Sequence, residues 1–339
     1  MLALFAGVLF TACGPDPVYK QQSYVFGTLV EITIHGEPQD RARQAAAQVL
    51  REFDTLHRRL HPWEGGELET LNAAFARGPE PVEVAPDLSA LLKDAAAWSG
   101  RTEGLFNPAI GNLVRLWGFH ADEYTPRLPP KTEIKRLVAA APSMQDLVIE
   151  ADRIASRNPA VRLDLSGYAK GYALDRAAAI LRQAGVRNAL VNIGGNIIAL
   201  GRKGNRPWRV GIQHPRRGGA LATLDLHDGE AIGTSGDYQR FFEVDGRRYC
   251  HLIDPRSGQP VQGVQAVTVI ARPPHAGVTS DVASKPLFIA GAKGWRDMAS
   301  RLGIHEVLFV DGDGRVALTP AMEARLRWEG KPPPRATGE

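Results

Sequence analysis

Five short stretches of this 339-residue chain set ionisable or hydroxyl side chains beside glycine where an apolar run ends. In Leu163-Asp164-Leu165-Ser166-Gly167-Tyr168-Ala169-Lys170-Gly171 a strand-like run passes into the start of a helix. Such a junction leaves unpaired backbone N–H groups at the positive end of the helix dipole, a setting suited to phosphate oxygens. Lys170 in the first turn adds a point charge for the same anion. Asp164 offers an acceptor to a ribose or an amide, or serves only as a helix cap. In His251-Leu252-Ile253-Asp254-Pro255-Arg256-Ser257-Gly258 a histidine precedes a carboxylate. It is either a general base oriented by that acid or a polar residue satisfied within the fold. Asp281 in Thr279-Ser280-Asp281-Val282-Ala283-Ser284-Lys285 stands among hydroxyls. These are hard oxygen donors of the kind magnesium takes, although a single carboxylate needs phosphates or carbonyls to complete a cage. Asn192-Ile193-Gly194-Gly195-Asn196 and Thr234-Ser235-Gly236-Asp237-Tyr238 either bring backbone close to a ligand or turn one strand into the next.

Strands and amphipathic helices must position these stretches. Residues 23–35 alternate apolar and polar side chains, the period of a half-buried strand. Over 40–60, Ala45, Val49, Leu50, Phe53, Leu56 and Leu60 recur at three- and four-residue steps, which predicts a helix. Further helices are expected at 68–75, 85–98, 108–117, 131–140, 167–183 and 285–302. A small meander is expected at 146–150, 153–156 and 161–165, and strands at 188–200, 208–213, 221–226, 231–234, 239–244, 248–253, 264–271, 306–310 and 316–319. The mixed order points to an α+β fold rather than a doubly wound parallel sheet. Residues 23–320 then form a single compact catalytic unit of mixed sheets and packed helices. Residues 321–339 form a C-terminal tail with a disordered Pro-rich end.

A chain 44% hydrophobic and 23% charged is globular, not disordered. Its 41 Lys and Arg against 37 Asp and Glu leave +4, scattered through mixed-sign segments. That gives a nucleic-acid partner no support and suits an acidic small molecule. The two cysteines, Cys13 and Cys250, exclude a disulfide framework and a cysteine-rich zinc site. Residues 1–12 are apolar and uncharged, too short to span a bilayer, and Phe10-Thr11-Ala12-Cys13 resembles a bacterial lipobox. The reading is a lipoprotein-type signal peptide at 1–12, a lipid anchor on Cys13 and a tether over 13–22. The protein is then exported, periplasmic and anchored to a bacterial membrane. The rival readings are a misplaced start codon or a buried N-terminal strand.

Taken in order, these segments resemble the ApbE family, the FAD:protein FMN transferases, over about residues 23–319. Phe26-Gly27-Thr28 is similar to the family's Met-Gly-Thr strand. Phe106-Asn107-Pro108 with Leu116-Trp117-Gly118-Phe119 is similar to its Phe-Asp-Pro and Trp-Gly-Phe segment, and Asp164 to Gly171 to its Asp-Leu-Gly-Gly-x-Ala-Lys-Gly stretch. The resemblance implies a T-fold-related architecture and a magnesium-dependent enzyme that splits the pyrophosphate of FAD. The FMN half goes to a threonine or serine hydroxyl of an acceptor redox protein, and AMP is released. Carried over by position, Phe26, Trp63 (often tyrosine in the family), Leu105, Phe106, Asn107, Asp164, Lys170 and Leu252 contact FAD. Gly167, through its carbonyl, and Asp281 hold Mg2+, and His251 takes the proton of the acceptor hydroxyl.

Three positions depart from the family pattern: Phe26 for methionine, Asn107 for aspartate, and Lys285 where threonine commonly stands four residues after the metal-binding aspartate. Lysine offers no acceptor. Either Ser284 completes a metal site with Gly167 and Asp281, or Lys285 pairs with Asp281 in the cation's place. Pro286 disfavours helix at the residue before it, so the last long helix is expected to start there. The competing functions are an FAD pyrophosphatase using water as acceptor and a flavin-binding lipoprotein without catalysis.

Overall fold

The structure, a computed structural model, describes residues 17–121, 123 and 125–336, so the lipobox-like segment and Cys13 lie outside the described residues. Eight strands pair in the order Val18–Val25, Thr28–His35, Ala189–Ile193, Asn196–Leu200, Ala231–Gly236, Val264–Ala271, Glu306–Asp311 and Val316–Leu318. Every ladder in this sheet is antiparallel. Because side chains alternate across a strand, the apolar residues divide between two faces. Ile198, Ala231, Val267, Val269, Val307 and Phe309 pack under the helices Gln39–Leu60, Ser166–Gln183 and Ala276–Leu302. Ile197, Ala199, Ile232, Ala266, Ile270, Leu308 and Val310 pack on a second sheet of Trp208–Gln213, Ala220–Leu226 and Arg327–Trp328. Val264–Ala271, covered on both sides, is buried along its whole length and is apolar apart from Gln265 and Thr268. Each large aliphatic side chain so buried contributes about 1.5–3 kcal/mol. The architecture is α+β, as expected from the mixed order of elements.

The structure corrects several sequence expectations. The strand expected over 23–35 is a hairpin, Val18–Val25 with Thr28–His35, turned at Phe26 and Gly27, whose φ values of 57° and 67° suit a tight two-residue turn. The tether expected over 13–22 therefore gives way to strand at Val18, where ladder bonds replace solvent. Residues 161–165 form no strand; Arg162 makes an isolated bridge to Ile110, and Val82–Glu83 is the third member of the small sheet. Ser235 and Gly236, read as turn residues, belong to strand Ala231–Gly236. The expected C-terminal tail is packed as far as residue 336. Arg327 and Trp328 pair with Thr223 and Ala222, and Ala336 N–H donates to Val316 O at 3.0 Å. Arg325 reaches Glu230 at 2.6 Å and Glu306 at 3.0 Å, and those two carboxylates are almost wholly buried. Tail and sheet thus share one desolvated charge cluster, which holds the segment in place.

Candidate active site

Two helices, Ser166–Gln183 and Ala276–Leu302, cross closely enough that only glycine fits between them. A Cβ on Gly171 would lie 2.5 Å from the Gly277 carbonyl and 2.7 Å from Asp281 Cβ. Asp175 reaches across to accept from the N–H groups of Gly277 at 2.8 Å and Val278 at 2.9 Å, so it caps the second helix from the first. Burial pushes the Asp175 carboxyl above its ordinary range, and the two N–H bonds oppose that. This cap corrects the expected start at Lys285 or Pro286: the helix starts at Ala276, runs through Pro286 and breaks at Gly291, where φ is 68° and ψ −171°. Asp281 to Lys285 is consequently a helical turn, and the two side chains stand on one face.

Of the two arrangements open for Asp281, the structure has the ion pair. Lys285 Nζ donates to Asp281 Oδ1 at 2.6 Å and to the Asp281 carbonyl at 2.7 Å. The other carboxylate oxygen, Oδ2, accepts the Gly171 N–H at 2.8 Å. Ser284 Oγ donates to the Asp281 carbonyl at 2.8 Å and meets Ser235 Oγ at 2.8 Å. The stem of Lys285 lies against Gly167, where a Cβ would come within 3.0 Å of Cε, with the ring of Phe106 beside it. Lys170, one turn into its helix, lies where Asp281, Lys285 and Arg240 all act on its charge; burial lowers its pKa and Asp281 opposes the shift.

His251 belongs to the same group. Burial, then Arg240 and Lys170, push its pKa down to about 3, so the ring is neutral near pH 7. Its Nδ1 sits 3.2 Å from the Arg240 carbonyl, which can only accept, so Nδ1 carries the proton and Nε2 keeps a lone pair. The carboxylate next to it in sequence does not orient it. Asp254 instead closes its own loop, taking the Arg256 N–H at 2.9 Å and the guanidinium at 2.8 Å. The loop is held from below by stacked rings. Trp117 lies 5.6 Å from Tyr249, Phe119 lies 5.6 Å from Phe242 and its edge meets His251 at 6.4 Å, while Trp117 Nε1–H donates to Gly258 O at 2.8 Å. The Trp-Gly-Phe segment thus positions the histidine.

The other sequence-derived candidates make local contacts of their own. Phe26, at the first hairpin tip, packs on Phe53 and His57, and His57 on His61, whose Nδ1 accepts the N–H groups of Trp63 and Glu64. Arg162 stacks over Trp63 at 4.5 Å, and His120 packs against the same indole. Asp164 adjoins this group, takes the Ser166 N–H at 2.9 Å and so behaves as a cap. Asn107 spends both ends of its amide internally, on the Ala109 N–H and the Pro142 carbonyl. Leu105, Phe106 and Leu252 are buried apolar walls. Gly194 and Gly195 turn the hairpin from Ala189–Ile193 to Asn196–Leu200, and a Cβ on Gly194 would strike Thr28 Oγ1 at 2.5 Å. Sequence reasoning missed Arg240, Arg162 and His120. Arg240 precedes strand Phe241–Val244 in a loop without a local signal, and Arg162 reads as one residue of an alternating run.

Comparison with known proteins identifies the family to which this fold belongs. The family model described as the ApbE family matches residues 26–309. An FAD:protein FMN transferase of Rhodobacter capsulatus is 43% identical over 330 residues, 96% of this chain and 62% of that relative. This chain therefore spans less than two thirds of that relative's length. The crystal structure of the ApbE protein of Thermotoga maritima superposes with a TM-score of 0.83 at 31% identity, covering 92% of this chain and 100% of that one. The flavin transferase ApbE of Vibrio cholerae gives 0.78 at 27% identity, over 92% of this chain and 100% of that one. With most of its length inside the family model and its fold shared with solved members, the chain belongs to the ApbE family.

Proposed function

We propose that this chain is an FAD:protein FMN transferase: it moves the FMN half of FAD onto a threonine or serine hydroxyl of an acceptor redox protein and releases AMP. Family membership supports the reaction class. The observation that carries it to these residues is the convergence of a neutral histidine, with Nε2 free to accept, on a cluster of Lys170, Lys285 and Arg240. The acceptor hydroxyl oxygen forms a bond to the FMN phosphorus as its proton passes to His251 Nε2. The bond from that phosphorus to the bridging oxygen breaks, and the oxygen leaves on AMP. Lys170 and the start of helix Ser166–Gln183 offset charge on the phosphoryl oxygens. Phe26, Trp63, Leu105, Phe106 and Leu252 supply apolar and aromatic walls for a flavin or an adenine. Asn107 and Asp164 hold the turns that place those walls.

The family resemblance brings magnesium with it, held by Gly167 and Asp281, with Ser284 as the candidate to complete the site, but the donors present here do not fit that ion. Both Asp281 oxygens are engaged, one by an ammonium, and Ser284 is bonded to the Asp281 carbonyl and Ser235. No group of three or more His, Cys, Asp or Glu able to hold a metal occurs among the described residues. The reaction above uses only groups of the chain.

Export and lipidation at Cys13 are part of the same reading, supported by the apolar run before Cys13. With strand starting at Val18, five residue steps separate it from the anchor, at most about 18 Å of extended chain, so the catalytic unit would sit against the membrane surface. Among the described residues no helix is long and apolar enough to cross a membrane. Incorporation of labelled palmitate that Cys13→Ser abolishes is the expected result, and labelling that persists in the variant removes the anchor.

The transfer is tested by incubating the protein with FAD and membranes from cells lacking its gene, then reading in-gel flavin fluorescence and AMP. Labelled protein with AMP is expected. AMP and free FMN without labelling would establish the pyrophosphatase instead, and neither product would leave flavin carriage.

A further inference from the structure

We propose that Lys285 is a built-in replacement for the divalent cation at this site, so that the chain cleaves a dinucleotide's diphosphate without a divalent metal. The inference rests on the transfer reaction proposed above. Its ground is geometric: the ammonium bonds both the carboxylate Oδ1 and the main-chain carbonyl of Asp281, 2.6 Å and 2.7 Å away. These are two oxygens of the kind a hard cation would gather. The pair is also built in, not incidental to a surface. The Asp281 side chain is 3% exposed and that of Lys285 15%, and the lysine stem occupies the space left by the missing side chain of Gly167. An ammonium carries three N–H donors. Two go to Asp281, and the third remains for a phosphoryl oxygen or for the bridging oxygen as it departs.

The electrostatics agree. Lys170 lies within electrostatic reach of both Lys285 and Asp281, so a dinucleotide diphosphate would meet two lysine side chains there. A divalent ion beside the lysine would face a like charge, and admitting it in the lysine's place would require the ammonium to leave a nearly buried carboxylate. Lys285 exchanges no proton in the step. The hydroxyl proton goes to His251, the new P–O bond forms to the acceptor, and the electrons of the broken P–O bond leave with AMP, while the ammonium holds charge in place.

Two measurements on the full chain decide it. Mn2+ titration of metal-stripped protein, followed by paramagnetic resonance, is expected to find no tight site in the wild type and one in Lys285→Thr, lost again when Asp281→Asn is added. A stoichiometric tight site in the wild type that Asp281→Asn removes would overturn the proposal. FMN transfer in excess EDTA is expected to run within about twofold of the rate with Mg2+, whereas Lys285→Thr drops about 100-fold in EDTA and recovers when Mg2+ is returned. Wild-type transfer that falls about 100-fold in EDTA and returns with Mg2+ would overturn it too. The wild-type measurements need no variant to fold, and Lys285→Met, which keeps the stem, is expected to stay slow in both conditions. If FAD binds yet no transfer or AMP appears in either condition, the transferase reading fails, and the Mn2+ titration still decides whether lysine holds the cation's position.

Discussion

Burial and two neighbouring cations push His251 the same way, which makes its ionisation the most direct check on the site. The unfolded chain carries a histidine of ordinary pKa, near 6.5, and the folded one holds it at about 3. Between those values the unfolded state binds a proton that the native state refuses. The stability this neutral ring contributes is therefore complete above about pH 6.5 and is lost as the pH falls toward 3. From pH 7 to pH 5 the loss is about 2 kcal/mol, the protonation free energy of an unfolded histidine that the native state does not share. Urea unfolding at both pH values, in the wild type and in His251→Asn, measures it. The asparagine amide can still donate to the Arg240 carbonyl, so the loop keeps its bond. His120 and His214, also lowered by burial and nearby arginines, titrate in both proteins and cancel in the difference. The wild type should lose about 2 kcal/mol more than the variant, and equal losses would refute both the neutral ring and its role as an uncharged base. A bound diphosphate places negative charge beside the ring and should shrink the effect, because it raises the native pKa.

Gly171→Ala should destabilise by about 1–3 kcal/mol, because its Cβ would press on the Gly277 carbonyl and Asp281 Cβ; an unchanged denaturation midpoint would show that the crossing is looser than described. Burial raises the Glu230 carboxyl, but its bonds with Arg325 and with the His227 N–H together more than offset that and hold it below its ordinary range. Arg325→Ala should then cost about 3 kcal/mol at pH 7, a cost that shrinks as acid protonates the Glu230 carboxylate. A cost independent of pH would sink that account. Burial pushes the Cys250 thiol up to about 12, so in a Cys13→Ser background an aromatic disulfide reagent at about pH 8 should release its chromophore only after denaturation; prompt reaction of native protein would contradict it.

The helix Gln39–Leu60, the central strand Val264–Ala271 and the segment from Asp164 to Gly171 were legible because each signals through its own residues. What was not legible depends on partners far along the chain. A proline rule places the start of the last long helix at Pro286, yet Asp175, 102 residues before Gly277, caps it ten residues earlier. Sequence proximity offers Asp254 as the orienting group for His251. The actual partner is the main-chain carbonyl of Arg240, which no side-chain pattern announces, since any residue there would present the same oxygen. The packed C-terminal segment was hidden for a related reason. Arg325 reads as one more surface arginine until Glu230, just before strand Ala231–Gly236, and Glu306, at the start of strand Glu306–Asp311, prove to be buried beneath it.

Lys285 marks the limit of such reading most clearly. Its presence four residues after Asp281 is plain in the sequence, but spacing alone allows the ammonium to extend into solvent, where a surface pair contributes little. What turns the substitution into a functional statement is Gly167 on the facing helix. With no side chain there, the lysine stem folds inward along the crossing and its charge is delivered to a nearly buried carboxylate. A larger residue at 167 would force the stem outward and leave Asp281 open to a metal. Gly167 and Lys285 therefore act as a unit, and the consequence of either is set by the helix crossing that Gly171, Gly277 and Asp175 enforce.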